Sequence, residues 1–213
     1  MSRNLFEKKE FWEKIYETKA LNETGWYQAV PETSLDFIKY AQLSKDAKII
    51  DVGGGDSLLV DHLLEAGFKN LTVLDVSERS LFRAKDRLGH MASKVTWICS
   101  DIREFNPVEI YDLWHDRACL HFLTEKNDVE LYRQNMIKSI PIGGHAIIAT
   151  FSKTGPKKCS GIPIHQYANS ELTGIFSNDF ELQKSIDKIH FTPSQVGQNY
   201  VFCHFKRKQS INI

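Results

Sequence analysis

Between Lys48 and Ser57 an apolar run, Lys48-Ile49-Ile50-Asp51-Val52, breaks into Gly53-Gly54-Gly55 and continues as Asp56-Ser57. Three adjacent glycines allow positive φ and remove the Cβ atoms that would hold a ligand off the main chain, so a small molecule can lie on this turn. Where such a turn opens a helix, its amides favour a negatively charged ligand group. Carboxylates recur where later apolar runs end: Asp75 after Leu71-Thr72-Val73-Leu74, and Asp101 after Val95-Thr96-Trp97-Ile98-Cys99-Ser100. Asp116, followed by Arg117, ends the run that starts at Tyr111. Acids at such places either cap turns or accept from a ligand, and a bond to an ionised acceptor is about twice as strong as a neutral one.

The segments around these residues set their position. Apolar runs at 48–52, 71–75, 95–99, 111–115 and 143–151 read as strands. Between them, helical spacing is found from Leu58 to a stop at Gly67, from Glu78 to Leu88, and from a cap at Thr124 to about Ile140. A helix that Pro31 opens precedes the first strand, with Leu35, Phe37, Ile38 and Leu43 on its buried face. Five alternations of strand and helix predict an α/β fold with a parallel sheet covered on both faces, and right-handed crossovers bring the ligand-facing loops to the carboxyl ends of the strands. Residues 152–168 read as a loop and Ser170 to Phe176 as a short helix. Phe180 to Ile189 and Tyr200 to Phe205 are too close for a helical crossover and are paired antiparallel.

A chain of 213 residues is long enough for one sizeable core, so residues 1–213 are read as a single domain. Lys plus Arg and Asp plus Glu are 27 each, which leaves no net field to draw it to nucleic acid or an anionic membrane. Cys99, Cys119, Cys159 and Cys203 form no CxxC pair, so no metal site is expected, and reduced, mostly buried thiols in a cytoplasmic protein are the simplest reading. No apolar stretch approaches about 20 residues. Residues 1–30 hold an amphipathic helix with Phe11, Trp12 and Tyr16, then a loop with Trp26-Tyr27, expected to cover the cleft or to anchor the helix. Residues 206–213 are expected to be a flexible tail.

A dinucleotide fingerprint, G-x-G-x-x-G, would need a third glycine where Leu58 stands, which argues against a nicotinamide enzyme. From about residue 34 to 205 the chain instead resembles class I S-adenosylmethionine-dependent methyltransferases. Asp51-Val52-Gly53-Gly54-Gly55 matches their D/E-x-G-x-G element, Asp75 the acid that takes both ribose hydroxyls, and Asp101, with Ile102 beside it, the acid at the adenine amino group. The resemblance implies a Rossmann-like, seven-stranded, mostly parallel sheet with an antiparallel last strand, S-adenosyl-L-methionine as methyl donor, and a cofactor site of Asp51, Gly53, Gly54, Gly55, Asp75, Val76, Asp101, Ile102 and Asp116. In that fold the glycine amides are expected to face the amino-acid end of the cofactor.

At the acceptor end Asp116 and Arg117 are the leading catalytic pair. Asp116 would hold the cofactor ammonium or act as base, and the Arg117 fork would orient an anionic or planar acceptor. His115 and His121 read as satisfied structural histidines, and the Lys157-Lys158-Cys159-Ser160-Gly161 loop could close the acceptor cleft. Asp116-Arg117 also looks like part of the Trp-Asp-Arg element of thiopurine methyltransferases, with His115 interposed after Trp114. Phe11-Trp12, Trp26-Tyr27, Thr150-Phe151, Gly155-Pro156 and Cys159-Ser160-Gly161-Ile162-Pro163 resemble bacterial methyltransferases of mostly undefined substrate. The acceptor, a small molecule or a protein group, stays open as thiol, amine or carboxylate. A module that keeps the fold and binds cofactor or partner without turnover is the alternative.

Overall fold

Every residue of the first strand, β1 (Lys48–Val52), except Lys48 is buried, as expected for a strand covered on both faces. In the computed structural model, which describes residues 5–209, two helices precede it, α1 (Leu5–Thr18) and α2 (Glu32–Tyr40). The chain then alternates through α3 (Leu59–Glu65), β2 (Asn70–Asp75), α4 (Glu78–Leu88), β3 (Val95–Cys99), β4 (Leu113–Arg117), α5 (Lys126–Ser139) and β5 (His145–Phe151). A short helix, α6 (Asn169–Phe176), leads to the long strands β6 (Phe180–Phe191) and β7 (Gly197–Arg207).

These seven strands form one sheet in the order β3-β2-β1-β4-β5-β7-β6. The first five are parallel and β7 runs antiparallel to both its neighbours, which is the topology expected from the sequence. Because β1 lies between β2 and β4, Val52 is level with both Leu74 and Asp116, and the carboxyl ends of the three strands open at one edge. Alternation along the strands sends Ile50, Val52, Trp114 and Ile148 to one face, against Tyr132 and Met136 of α5 and Leu172 and Phe176 of α6. Ile49, Leu113 and Ile147 pack on the other face with Phe37 and Ile38 of α2 and Leu59 and Leu63 of α3. Gly67, with φ +88°, ends α3 as anticipated.

Several boundaries differ from the sequence reading. β4 starts at Leu113 and runs through Arg117, so Asp116 and Arg117 are strand residues. The Asp112 side chain instead accepts from the Lys48 amide at 2.8 Å, outside the strand. α5 starts at Lys126, one turn position too late for Thr124 to cap it. The 152–168 segment is not a plain loop: Lys158–Cys159 pairs antiparallel with Ile162–Pro163 across Ser160 and Gly161, both at positive φ as a two-residue hairpin turn requires. Lys206 and Arg207 belong to β7 rather than to a tail, because their backbones pair with His145 and Phe180; residues 210–213 lie outside the described part. The four thiols are free, with Cys159 and Cys203 buried, Cys119 half-buried and Cys99 exposed. Among the described residues no helix is long and apolar enough to cross a membrane.

Candidate active site

After Val52 the chain reverses over Gly53 and Gly55, with φ of +66° and +50°. Each of the three glycines leaves space for a different side chain. A Cβ on Gly53 would come within 2.8 Å of the Cys119 Cβ, on Gly54 within 2.5 Å of Asp51 Oδ2, and on Gly55 within 2.7 Å of the Tyr16 hydroxyl and 3.1 Å of Asp75 Oδ2. The amides of Gly53 and Gly54 donate to the Leu74 carbonyl, at 2.7 and 3.3 Å. Asp51 is buried and accepts from His115 Nδ1 at 2.7 Å, while His115 Nε2 lies 2.9 Å from Ser34 Oγ. His115 is therefore satisfied on both ring nitrogens.

Above this turn the strand ends border a cleft of about 120 Å³, lined by Gly53, Asp75, Val76, Asp101, Ile102 and Arg117 together with an aromatic wall. Asp75 accepts from the Ser77 amide through Oδ1 at 2.8 Å. Burial disfavours its charge, and although bonds from Ser77 and Ser80 act against this, its pKa rises to about 7. Asp101 is clamped by Arg103: the Arg103 amide and Nε donate to Oδ1 at 2.9 and 2.8 Å, and Nη2 donates to Oδ2 at 2.7 Å. Arg117 donates from Nη1 to the Trp26 carbonyl at 3.0 Å. Two thiols border the cleft, Cys119 and Cys159; burial raises both, Cys159 to about 11, and keeps them protonated.

The aromatic wall comes from α1 and the segment after it. Trp12 meets Phe122 and Trp26 edge-on at 5.1 and 5.8 Å between ring centres, and Trp26 meets Tyr16 at 6.0 Å. All four rings line the cleft. Two contacts hold α1 there against α4. Glu13 accepts from the Glu78 and Arg79 amides at 2.7 and 3.1 Å and from Ser77 Oγ at 3.1 Å, which puts an acid on the positive end of α4. Arg83 of α4 donates to the Tyr16 and Lys19 carbonyls at 2.8 and 2.7 Å, which puts a cation on the negative end of α1. Its Nη2 also lies 2.8 Å from Asp56 Oδ2, an ion pair without hydrogen-bond alignment, tying the lid to the glycine turn.

Residues 49–144 match the sequence profile of a family described as a methyltransferase domain. Over this stretch the chain is similar to a class I methyltransferase domain. It is 27% identical over 132 residues to the ubiquinone biosynthesis O-methyltransferase of Rickettsia conorii, covering 62% of this chain and 44% of that protein. The chain spans about half the length of the curated relatives it matches. Its fold is similar to that of the N-methyltransferase NodS from Bradyrhizobium japonicum, solved with S-adenosyl-L-homocysteine, with a TM-score of 0.69 and 17% identity over 92% of this chain and 98% of that one. A protein solved in work on the conversion of a disulfide bond into a thioacetal group during echinomycin biosynthesis gives a TM-score of 0.75 at 16% identity, over 94% of this chain and 93% of that one.

The expected site residues divide in where they lie. Gly53, Asp75, Val76, Asp101, Ile102 and Arg117 line the cleft. Gly55 lies at its edge, with the Tyr16 hydroxyl and Asp75 Oδ2 next to its backbone. Asp51 and Gly54 border an adjoining pocket under the turn. Asp116 departs most from expectation: it is fully buried, it lines no cavity among those described, and its oxygens accept from Tyr132 Oη (2.7 Å), the Cys119 amide (2.8 Å) and the Leu120 amide (3.0 Å). Strand alternation explains this, since it turns Asp116 toward α5 while Arg117 faces the cleft. The amides of Gly53 and Gly54 do not face a ligand as expected either, because both donate to the Leu74 carbonyl.

The sequence reading missed Cys119 and Phe122 as cleft residues and Glu13 as the cap of α4. Phe11-Trp12 and Trp26-Tyr27 were its only signals for the lid, and Trp26 serves both as wall and as the anchor that receives Arg117. His121 is buried between Phe122 and Phe151 and accepts weakly from the Phe151 amide at 3.4 Å, and burial lowers its pKa to about 3.

Proposed function

We propose that this protein is an S-adenosylmethionine-dependent methyltransferase acting on a small-molecule acceptor. The observation that carries this reading is the Asp75 carboxylate at the cleft wall, with the Cβ-free backbone of Gly55 next to its Oδ2. The residues fit the cofactor. A carboxylate at the end of β2 has the acceptor geometry for a vicinal diol, and only hydrogen occupies the Gly55 position between it and Tyr16. Asp75 would hold the ribose, Asp101 and Ile102 would flank the adenine, and Gly53 with Val76 would complete the floor. Asp51 would act from beneath, through the position it gives the turn at Gly54 and its bond to His115.

The cofactor supplies an electrophilic methyl group on a sulfonium, so the chain's share of the work is mainly positioning and exclusion of water. Trp12, Tyr16, Trp26 and Phe122 dry the cleft. Arg103 fixes the Asp101 carboxylate through both oxygens, so little freedom remains to be lost on binding. Cys119, Cys159 and Tyr16 are all shifted toward their protonated forms, which leaves no ready general base among these cleft residues. This favours acceptor atoms that are nucleophilic without enzymic deprotonation.

Calorimetry with S-adenosyl-L-homocysteine tests the reading. One-to-one binding to the folded protein is expected, together with a rise in melting temperature. A folded sample that binds neither this compound nor S-adenosyl-L-methionine overturns it.

A further inference from the structure

We propose that the methyl acceptor is a flat, largely apolar molecule carrying one anionic oxygen group, and that Arg117 is the residue that anchors this group. The proposal rests on the methyltransferase reading and adds the substrate class.

Among the described residues Arg117 stands apart from the other arginines. Arg79, Arg83, Arg87, Arg103 and Arg133 each lie within ion-pair distance of a carboxylate. Arg207 is held by the Ile137 and Ile140 carbonyls at the end of α5, where a helix favours a cation. Arg117 has neither kind of full compensation among the described residues. One half of its fork donates to the Trp26 carbonyl, but Nη2 is buried and has no partner. If Arg117 only braced the Trp26 loop, Nη1 would suffice and Nη2 would be left in a costly state.

Its surroundings keep that charge uncompensated. The ring centre of Tyr200 lies 5.3 Å from the guanidinium carbon, which orients the fork without neutralising it. His121 and His190 are shifted toward their neutral forms, first by burial and then by the Arg117 charge. Neither imidazole therefore adds a positive charge beside Arg117. The cleft is polarised as a result: carboxylates from β2 and β3 stand on one side and a guanidinium with a spare donor at the end of β4. Asp101 is already paired with Arg103, so an anionic ligand group is repelled chiefly by the ionised Asp75 and drawn to Arg117.

The rest of the ligand follows from the wall. Trp12, Trp26 and Phe122 present ring faces and edges beside Arg117 in the same cleft, which suits a flat apolar body. Arg117 also borders a second groove, open to the surface, lined in part by Tyr27, Lys188 and His190. An anion reaching Arg117 from that side does not have to pass under α1. The unpartnered Nη2 offers a charge-assisted bond to a carboxylate oxygen, and removing an apolar anion from water leaves its binding dependent on this one contact.

The test uses the full chain saturated with S-adenosyl-L-homocysteine and two probes of the same shape, 1-naphthoate and neutral 1-naphthamide, followed by quenching of tryptophan fluorescence. The unsubstituted protein is expected to bind naphthoate at least about tenfold more tightly than naphthamide. Arg117→Met is expected to abolish the preference, and Arg117→Lys to keep part of it. Binding of S-adenosyl-L-homocysteine, measured on each sample first, shows that the cofactor site is intact. With that binding present, equal affinity for the two probes, binding of neither, or a preference that survives Arg117→Met overturns the proposal and leaves the methyltransferase reading standing. Absence of that binding in the folded, unsubstituted protein overturns both. If Arg117→Met does not fold, the ratio in the unsubstituted protein and its reduction in Arg117→Lys decide the matter.

Discussion

Asp75 and Asp116 look alike by most measures. Each stands at or near the end of a parallel strand, each is buried, and burial raises the pKa of both, to about 7 and about 6 respectively. They differ in what their oxygens touch. Asp75 lines the cleft, and its Oδ2 lies beside the bare backbone of Gly55. Asp116 takes three donors from Tyr132, Cys119 and Leu120 and faces α5. A perturbed carboxyl group is therefore a sign of burial here, and the supply of internal donors decides whether it can serve a ligand.

The comparison breaks most sharply at Asp116→Ala. This change strands a phenol and two amides in the interior, and each buried donor left without an acceptor costs about 1–3 kcal/mol. A loss of about 3–5 kcal/mol of stability in urea unfolding is expected, since such losses do not add fully. Unchanged stability with lost methyl transfer would return Asp116 to the chemistry.

Asp75→Ala should do the reverse. Only the Ser77 amide is stranded, so stability falls by less than in Asp116→Ala, while affinity for S-adenosyl-L-homocysteine falls by about 1.5–3 kcal/mol, as for lost bonds to a charged group. The pH dependence sharpens the contrast. Because the folded pKa of Asp75, about 7, is above the ordinary 3.8, the folded chain holds this proton more firmly than the unfolded chain. The stability it contributes to the free protein is thus full at low pH and is lost as pH rises from about 4 through about 7. Diol binding needs the carboxylate, so affinity moves the opposite way, increasing toward neutral pH and levelling above about 7. Titration calorimetry between pH 5.5 and 8.5 (about one unit per step) checks this. A flat profile, or one that Asp75→Asn leaves unchanged, would show that Asp75 does not carry the pH dependence.

The glycine turn and the acids at the ends of β2 and β3 were legible in the sequence because their signals are local. A glycine run after an apolar strand, and acids closing the next two strands, require only the short-range rules of strand ends and turns. The antiparallel pairing of β6 with β7 was legible from the short connection between them, and the limits of α4 from helical spacing. The acceptor half was not legible because its determinants are distant in sequence. Tyr132 commits Asp116 from across a helix and a turn, and Trp26 receives Arg117 from 91 residues away. The sequence pattern of Tyr111 and Asp112 suits a strand start, but Asp112 turns its side chain to the Lys48 amide. β4 therefore begins later, at Leu113, and extends through Asp116 and Arg117. The amphipathic pattern of α1 and the Trp26-Tyr27 pair pointed to a cover over the cleft or an anchor for the helix, without saying which ring does which.

The smallest expected effect concerns this long-range half as well, at Glu13. Its carboxylate takes two amides and a hydroxyl at the start of α4, where Ser77 already bonds to the Ser80 amide. Glu13→Ala removes one cap and one favourable charge at a helix N-terminus, a loss of about 0.5–1.5 kcal/mol. Arg83 still holds the far end of α1 through the Tyr16 and Lys19 carbonyls, so the lid is loosened at one end only. Ser77 also donates its amide to Asp75, so any slack at the start of α4 reaches the cleft through that bond. Affinity for S-adenosyl-L-homocysteine should consequently fall by less than in Asp75→Ala, with faster dissociation measured by stopped-flow tryptophan fluorescence. An unaltered dissociation rate with lowered stability would make Glu13 a helix cap alone, and α1 a fixed wall of the cleft rather than its lid.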